Sequence, residues 1–462
     1  MTLASALSTA LSGLQVATTQ MQLTAGNIAN AHTKGYTTKT ATQTSVSLGN
    51  DSGGVTISGY ARSTNTALSV AYNDATTLSS FYGQQNSYLQ QVQAVLGSNS
   101  TNPPLSNALA QFQSAWTQFS SAPESPATQQ TVIQSGVNLA GQVQTIAKGV
   151  TTLAAQVTGD IGTTVKTLNA DLTKLSTLNA QISRAQGEGQ PSGDLQDQRD
   201  QAVNDVASIT GATVFSRPNG QVALYTPGGL LLVDSASAQS FTWDGTNVTA
   251  ATGQTVTNDL TGGSLEAQIN FLNGSATSPD PGTGVINKLN NQLKALTDAL
   301  TTTTGSPATF ASAYNTATTG TGELASGFFT IDVAGDPNSI AVNASLVSGS
   351  ATVKTASATP VANALAATRS FSASSLSVPS GTYADLGTAI LAGFQQAANT
   401  LTTQSTSAAQ QQTFYQQSLS SATGVNVDNE LVNLTTLQNS YAASAHVIST
   451  INSMLQALEN VI

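Results

Sequence analysis

GVNVDNELVNLTTLQNSYAASAHVISTINSMLQALENVI, residues 424–462, is the stretch around which the rest of the chain is organised. Apolar residues recur along it every seven residues, and a second line lies three residues further on. The two lines are Val427, Leu434, Tyr441, Ile448, Leu455 and Ile462, and Leu437, Ile451 and Leu458. Glu430 and Ser444 interrupt the second line. This heptad repeat predicts one long helix that pairs with another as a left-handed coiled coil.

The first 30 residues carry the same spacing. Their two lines are Leu7, Leu14, Met21 and Ile28, and Leu3, Ala10, Ala17 and Thr24. Ordinary amphipathic helices that pack on a core would show a similar pattern. Its presence at both ends of one chain favours instead a pair formed by the N- and C-terminal helices, with the remaining residues inserted between them. Such a pair is typical of filament subunits.

The composition limits the possible functions. A chain of 462 residues is too long for a single core and predicts two to four domains. Only 8% of the residues are charged, against about 25% in ordinary soluble domains. The net charge of −10 argues against nucleic-acid binding. A surface with few charges suits subunits that pack side by side, because fewer ions lose their hydration. It would also suit the Ser/Thr-rich surface of a secreted protein.

The sequence also bears on redox chemistry and on membranes. The chain has no cysteine, which excludes disulfides, thiolate metal sites and cysteine nucleophiles. No run of 18 apolar residues occurs, so we predict no membrane-spanning helix. No Lys or Arg precedes Lys34, which does not fit a Sec-type signal. We therefore expect an exported chain to use another route, without a cleaved signal peptide.

Helical and β-type spacing alternate along the chain. Helical spacing covers residues 64–97, 105–121, 127–187, 195–209, 265–272, 285–300 and 383–421. We expect Asp194 to be the N-cap of the helix over 195–209, and residues 37–57 to form a loop with short strands. From Gly211 the period changes to two, and Pro218-Asn219-Gly220 predicts a hairpin. Short strands are expected at 328–333 and 376–378.

These assignments predict a mainly α, multidomain fold with a β-rich insertion. The first domain is the terminal coiled coil, residues 1–40 with 424–462. The second is a bundle of long helices, residues 41–210 with 381–423. The third is a β-rich outer insertion, residues 211–380, of which the helix over 285–300 could pack on the bundle.

Searches for reactive residues give no candidate site. The two histidines, His32 and His446, lie in no metal-binding pattern. Residues 159–167 lack the glycine spacing of a phosphate-binding loop. Asp197, Asp200 and Asp205 could suggest a carboxylate pair for hydrolysis, but Arg199 stands among them. A solvated ion-pair network on a helix explains these charges more simply. We predict no catalytic, cofactor or metal site and no enzyme.

Three motifs resemble those of a known family. The N-terminal motif comprises Asn27, Ile28, Ala29 and Asn30, followed by Gly35 and Tyr36, and is similar to the signature of bacterial flagellar rod, hook and hook-associated axial proteins. The C-terminal motif includes Gly424, Asn426, Asp428, Gln438 and Tyr441. The third motif contains Asp194, Asp197, Arg199 and Asp200, in a DxxDQRD pattern that resembles the flagellar hook-associated protein 1 family within that class.

The resemblance implies a structural subunit of the bacterial flagellum, exported through the type III channel to the extracellular junction between hook and filament. It implies a ring of identical subunits that contacts the hook protein and a second hook-associated junction protein, and an export chaperone. No nucleic acid, membrane or cofactor is implied. A flagellar hook protein or the second junction protein is the alternative, and a secreted binding module is the alternative of another class.

The heptad residues would then form the subunit interface: Leu3, Leu7, Leu14, Met21, Ile28, Val427, Leu434, Leu437, Tyr441, Ile448, Ile451, Leu455 and Leu458. An isolated terminal helix has few apolar residues to offset the entropy lost on ordering it. We therefore expect residues 1–35 and 424–462 to be disordered in the monomer and ordered in the polymer.

Overall fold

The computed structural model describes residues 3–48, 51–97, 104–274, 281–305, 307–333, 335–370 and 380–459. Most of these residues are helical, as the spacing predicted. The helices are α1 (Leu3–Ala29), α2 (Thr66–Leu96), α3 (Pro104–Ser121), α4 (Pro126–Gly187), α5 (Gly193–Thr210), α6 (Gly263–Asn273), α7 (Val285–Thr301), α8 (Phe310–Thr316), α9 (Ala344–Val347), α10 (Ala358–Ala366), α11 (Tyr383–Thr423) and α12 (Val427–Glu459). The 62 residues of α4 far exceed the usual helix length of about 11–12 residues.

The named strands all pair antiparallel, and they are short except in one long hairpin. They are β1 (Lys39–Leu48), β2 (Asp51–Arg62), β3 (Thr213–Ser216), β4 (Val222–Tyr225), β5 (Leu231–Asp234), β6 (Ser237–Ala238), β7 (Phe241–Trp243), β8 (Val248–Ala250), β9 (Phe329–Thr330), β10 (Ala341–Val342), β11 (Arg369–Ser370) and β12 (Ser380–Gly381). β3 to β6 form one four-stranded sheet in sequence order. The remaining strands pair as β1–β2, β7–β8, β9–β10 and β11–β12.

The long hairpin differs from the loop expected over residues 37–57. β1 and β2 pair from Lys39 opposite Arg62 to Leu48 opposite Asp51. Residues 42–47 of β1 are all exposed, so neither face of that strand is buried. Apolar and polar residues alternate along a strand when one of its faces is buried and the other is exposed. β1 therefore lacks the sequence pattern by which strands are recognised.

The other strands are concentrated in residues 213–250, where the change of period predicted them. Between 307 and 370 the described residues form short helices and two-residue strands. The strand expected over 328–333 is reduced to β9, and the one expected over 376–378 lies outside the described residues. The chain is thus mainly α with a strand-containing insertion, and this predicted fold class is confirmed.

The chain forms two compact units, and the boundaries between them fall within α2, α4, α6 and α11. The first unit comprises Met1–Ser80, Thr164–Leu265 and Ser407–Ile462, and the second Phe81–Thr163 and Glu266–Thr406. The division into three domains given above stays a prediction.

In the first unit, the C-terminal part of α4 packs against the four-stranded sheet. Leu172 and Leu175 on α4 are fully buried, as are Leu224 and Val233 in the sheet. A buried asparagine, Asn179, fixes the sheet on the helix. Its Oδ1 accepts from Val222 N, and its Nδ2 donates to Val222 O and Ser235 O. These bonds satisfy polar groups that burial would otherwise leave unpaired.

The core of the second unit is a cluster of aromatic rings. Trp116 on α3 makes edge-to-face contacts with Phe119, Phe310 and Phe328. Phe329 is within 5.0 Å of Phe328, measured between ring centroids. Large buried rings contribute most of the apolar area in a core. This cluster therefore joins α3, α8 and β9 in a chain that has only 5% aromatic residues.

Candidate functional site: the terminal helices and their joint

The two terminal helices, α1 and α12, pack against each other as predicted. Gly13 on α1 faces Ser444 on α12, and a Cβ at Gly13 would lie 3.5 Å from the Ser444 Oγ. The buried apolar residues of α1 are mostly small. They are Ala10, Val16 and Ala17. Small residues let two helix backbones approach closely, and Gly13 stands where α1 meets α12.

The large heptad residues are less buried than the small ones. Ile451 is buried, whereas Leu3, Tyr441 and Leu455 are exposed. The half-buried ones are Leu7, Leu14, Met21, Ile28, Val427, Leu434, Leu437 and Ile448. The side chain of Leu458 lies outside the described residues. Both terminal helices thus keep apolar surface in contact with solvent, and the role of these residues in a subunit interface stays a prediction.

The C-terminal end of α1 is fastened by the two asparagines of the N-terminal motif. Asn27 is 1% exposed, and its side chain holds the first residue of β1. Its Oδ1 accepts from Lys39 N at 3.1 Å and its Nδ2 donates to Lys39 O at 2.9 Å. The Asn30 Nδ2 donates to Gly26 O, which satisfies a carbonyl of the last helical turn. The Asn27 amide supplies a donor and an acceptor on two separate atoms, which pair with the C=O and N–H of one residue.

Tyr36 joins this arrangement through both its hydroxyl and its ring. The hydroxyl donates to Asn27 Oδ1 at 3.0 Å, and the Lys39 Nζ lies 3.3 Å from the ring centroid. The turn before it requires Gly35, whose φ of 79° is in the left-handed region. Burial raises the pKa of Tyr36, and the nearby Lys39 offsets only part of that effect.

Asp197 on α5 connects the hairpin to the third motif. Its carboxylate accepts from Thr37 Oγ1 at 2.7 Å, Thr37 N at 3.2 Å, Lys39 Nζ at 2.8 Å and Arg62 Nη1 at 3.0 Å. Its side chain is 9% exposed, so these bonds lie largely out of water. Asp194 also binds the Lys39 Nζ, at 2.8 Å, but its side chain is 76% exposed.

Electrostatics strengthen the bonds to Lys39. Burial acts to lower the pKa of the Lys39 ammonium. The hydrogen bonds to Asp194 and Asp197, with the attraction of the Asp197 charge, outweigh burial and raise the pKa above its ordinary value. Lys39 is therefore a cation that its surroundings stabilise.

Arg62, at the end of β2, completes the attachment of the hairpin. Its Nε donates to Gln196 Oε1 at 2.8 Å, and its Nη2 donates to Asp200 Oδ2 at 2.6 Å. Arg199 binds the other oxygen of Asp200 and donates to the carbonyl of Gly220. Three cations and three carboxylates, Lys39, Arg62, Arg199, Asp194, Asp197 and Asp200, thus form one network whose formal charges cancel.

The connection between α11 and α12 meets the base of the same hairpin. Thr38 N donates to Thr423 O at 2.9 Å, and Thr38 Oγ1 donates to Gly424 O at 2.7 Å. Ser63 Oγ donates to Ala422 O at 3.3 Å. A Cβ at Gly424 would collide with the carbonyl oxygen of Ser420, so the tight turn requires glycine there.

We call this assembly the joint, and define it as Asn27, residues 36–39, residues 62–63, residues 194–200 and residues 422–424. The three motifs lie far apart in the sequence, and residues of all three meet there. Asn27, Tyr36, Asp194, Asp197, Arg199, Asp200 and Gly424 belong to it. A cavity of about 370 Å³ adjoins the joint, lined by Thr38, Thr40, Arg62, Ser63, Gly424, Asn426, Asn429 and Glu430.

Other motif residues lie outside the joint. Asn426 precedes α12, and its Oδ1 accepts from Asn429 N, as an N-cap does. Asp428, Gln438 and Tyr441 are exposed on α12, and Ala29 is exposed at the end of α1. Among the described residues, the four exposed ones make no contact that contributes to the joint.

Two expectations for residues 194–200 were wrong. The residue before α5 is Ser192, so Asp194 lies inside the first helical turn and is not the N-cap. The interpretation of Asp197, Asp200 and Asp205 with Arg199 as a solvated ion-pair network was wrong for Asp197 and Arg199, which are buried. Asp197 is covered by the hairpin residues that bind it, and Arg199 donates to Gly220 O. Asp200 is 46% exposed, and Asp205 accepts a hydrogen bond from Gln201.

The sequence reasoning did not identify Lys39 and Arg62, the hairpin residues that bind the third motif. One signal was available, because the chain has only 13 Lys and Arg residues. Between these two residues only Asp51 is charged. Two cations at the ends of a segment with a single other charge were candidates to pair with the acidic motif.

The joint offers hydrogen bonds and ion pairs, but no reactive arrangement. The two histidines are exposed on α12 and in the turn after α1. Within the part of the chain that the structure describes, no group of three or more His, Asp or Glu residues could hold a metal ion. In that same part, no helix is both long and apolar enough to cross a membrane. The geometry serves to hold chain segments together.

Two family models match this chain. Residues 89–308 match the helical domain of flagellar hook-associated protein FlgK. Residues 416–461 match the C-terminal domain of the flagellar basal body rod proteins FlgEFG. The first match contains the third motif and the second contains the C-terminal motif.

Relatives from several bacteria are similar over half of the chain. The flagellar hook-associated protein 1 of Salmonella typhimurium is 29% identical over 244 residues, which are 51% of this chain and 44% of that protein. The Escherichia coli protein of the same name is 27% identical over 244 residues, with the same two coverages. That of Bacillus subtilis is 24% identical over 243 residues, covering 49% and 47%.

A solved structure is also similar, the flagellar hook junction protein FlgK from Burkholderia pseudomallei. Its TM-score is 0.46 at 19% identity, over 58% of this chain and 47% of that one. The chain thus spans about half the length of the curated relatives that it matches. The family matches and the relatives confirm the resemblance to flagellar hook-associated protein 1 on which the motifs were interpreted.

Proposed function

We propose that this chain is a structural subunit of the bacterial flagellum that forms the junction between hook and filament and polymerises through its terminal helices. The observation that carries this proposal is the joint. The three motifs by which the chain resembles flagellar hook-associated proteins meet there, and they bind α1, the β1–β2 hairpin, α5 and the start of α12 to one another. The resemblance therefore rests on residues that act together.

The role of the joint is to hold the terminal helix pair in a fixed relation to the hairpin and to α5. Asn27 fixes the point at which the chain leaves α1, and Thr38 fixes the point at which it enters α12. A subunit that polymerises through its terminal helices needs both ends positioned together. Groups held in place before association lose less entropy when they bind.

The exposed apolar residues of the terminal helices support polymerisation. Leu11 is half exposed on α1, and α12 exposes Leu431, Val432, Val447 and Met454. Burying such side chains contributes roughly 1.5–3 kcal/mol each, so neighbouring subunits would gain from covering them. The low charge of the chain acts in the same direction, because few ions need to be desolvated.

In this proposal the interface comprises the heptad residues of α1 and α12 together with the exposed apolar residues beside them, and the neighbours are further copies in a ring. The other partners are the hook protein, the second hook-associated junction protein and an export chaperone, with no nucleic acid and no membrane. Residues 1–40 with 424–462 would be the innermost domain, residues 41–210 with 381–423 the next, and residues 211–380 the outermost. The chain would be exported through the flagellar type III channel and would have no enzymatic activity.

Substitutions on the exposed side of α12 test this function. Val447→Ser with Met454→Ser removes apolar surface that is exposed in the isolated chain, so the stability of the monomer should change little. We expect cells with this double variant to swim poorly and to release flagellin, because the subunits no longer associate. Asn452→Ala, on the same helix and also exposed, is the matched control. Normal junctions in the double variant would refute assembly through this face.

Deletion of both ends of the chain distinguishes this function from the alternatives. A secreted binding module would keep its activity when residues 1–40 and 424–462 are deleted, whereas a polymerising subunit would lose its function. A hook protein would share the dependence on the terminal helices, but its loss would remove the hook itself.

A further inference from the structure

Gln85 on α2 is completely buried and lacks partners for its amide. Its exposed fraction is 0%, and among the described residues neither its Nε2 nor its Oε1 makes a hydrogen bond. More than about 90% of buried polar groups in proteins have a partner. An amide with neither end paired is thus a feature that requires an explanation.

Other unpaired polar atoms lie around Gln85 in the second compact unit. A Cβ at Gly282 would lie 2.5 Å from the Gln85 Oε1, so the amide rests directly on that glycine. The next residue, Thr283, is buried with its Oγ1 unpaired, and Gln268 on α6 is buried with its Oε1 unpaired, in both cases as judged within the described chain.

Tyr88 shows that these residues form one cluster. It follows Gln85 by one helical turn and is also buried. Its hydroxyl donates to Asp160 at 2.8 Å, and it interacts with the side chain of Gln268. Its ring lies 5.1 Å from that of Phe271, on the same helix as Gln268. The hydrogen bond of Gly284 N to Asn270 O holds the turn that contains Thr283 against that helix.

The unpaired atoms are of complementary types. The Gln85 Nε2 donates, the Gln85 and Gln268 oxygens accept, and the Thr283 hydroxyl can do both. A water molecule donates and accepts in the same way, and buried waters typically make about three hydrogen bonds to such groups. Three of the four unpaired atoms belong to neutral amides and the fourth to a hydroxyl, so the set carries no charge to balance an ion.

We propose that Gln85, Gln268 and Thr283 form a buried hydration site that binds ordered water. The water links α2 to α6 and to the turn over residues 281–284. Glycine at position 282 lets the Gln85 amide lie against the turn, because any larger residue would press on that amide. The site does not depend on the flagellar function proposed above.

A substitution that keeps the volume of Gln85 tests the site in the full-length chain. If water bridges these groups, Gln85→Met removes its donor and leaves Thr283 and Gln268 with fewer partners. The melting temperature should then fall, by about 2–4 °C for a loss near one hydrogen bond in a unit of this size. If the cluster is dry, the same change removes two unpaired buried atoms, and the melting temperature should rise. Gln90→Met, at an exposed position of α2, corrects for the change of residue type.

A crystal structure of the full-length chain, at a resolution that shows ordered solvent, gives the second measurement. We expect density for water within hydrogen-bond distance of the Gln85 Nε2 and of Thr283 Oγ1 or Gln268 Oε1. The proposal is overturned by a melting temperature that rises in Gln85→Met relative to the Gln90→Met control. It is equally overturned by a structure in which protein atoms pair with the Gln85 amide directly.

Discussion

Replacing Asp197 by Asn tests the energetic centre of the joint. The substitution preserves the size of the side chain and removes its charge. It weakens two ion pairs, with Lys39 and Arg62, and leaves one oxygen for the two bonds from Thr37. Removing one partner of a buried ion pair costs roughly 3–5 kcal/mol. Both cations keep a second, more exposed carboxylate, so we expect about half of this cost, near 2 kcal/mol.

Hydrogen exchange measures this loss where it occurs. The amides of Thr38, Lys39 and Ser63 all donate to groups in the joint. A loss of about 2 kcal/mol should speed their exchange by roughly 30-fold, if they exchange by local opening. Asp194→Asn is the matched control. Asp194 is 76% exposed and binds only Lys39 among the same cations, so its loss should cost less than about 1 kcal/mol. Equal exchange rates in the two variants would refute the assignment of Asp197 as the central residue.

Four further outcomes follow from the structure. Asn27→Leu should lower the free energy of unfolding in urea by about 2–4 kcal/mol, because the Lys39 N–H and C=O lose their buried partners. The joint should weaken at alkaline pH, because the pKa of Lys39 in the folded chain lies above its ordinary value of 10.5. The stability that Lys39 contributes is complete below pH 10.5 and is lost as the pH rises through the folded pKa. Hydrogen exchange of the hairpin amides measures this loss. Lys354→Met should cost about 2–4 kcal/mol, because the buried Lys354 Nζ donates to the carbonyls of Tyr314, Asn315 and Ala317. Beyond the joint, the free ends of α1 and α12 should be cut first by protease in the monomer and protected in the polymer.

Each of these outcomes has a control. Asn30→Leu removes one local bond and should cost less than Asn27→Leu. In Lys39→Arg the side chain stays charged at pH 11, so the weakening of the joint at alkaline pH should disappear. If the weakening persists in this variant, groups other than Lys39 cause it. Lys294→Met, at an exposed ion pair, should change stability by less than about 1 kcal/mol. Protease-resistant ends in the monomer would contradict polymer-dependent ordering.

The long helices could be predicted from the sequence because each buries one stripe. α4 shows this best, since Leu168, Leu172, Leu175 and Ile182 are all buried at helical spacing. The hairpin β1–β2 could not be predicted in this way. Residues 42–47 of its first strand are all exposed, and the hairpin is held by its own pairing, by α1, where Val55 N donates to Ser12 Oγ, and by the joint.

The joint could be predicted only in part. The motif residues were identified by resemblance, but their contacts were not, because Asp197 meets Lys39 across 158 residues of sequence and Arg62 across 135. Local sequence therefore indicated a solvated helix surface where tertiary packing forms a buried network. The heptad lines of α1 show a similar limit of prediction from sequence. The period predicted two apolar lines, whereas the structure places Gly13, which belongs to neither line, at the contact with α12.

Deletion of the gene tests the central claim most directly. Electron microscopy of the deleted cells should be combined with an assay for flagellin in the medium, and with restoration by a plasmid copy. A subunit of the junction predicts hooks of normal length without filaments, together with released flagellin. Cells without hooks would identify a hook or rod component instead, and cells with normal filaments would contradict the proposed function.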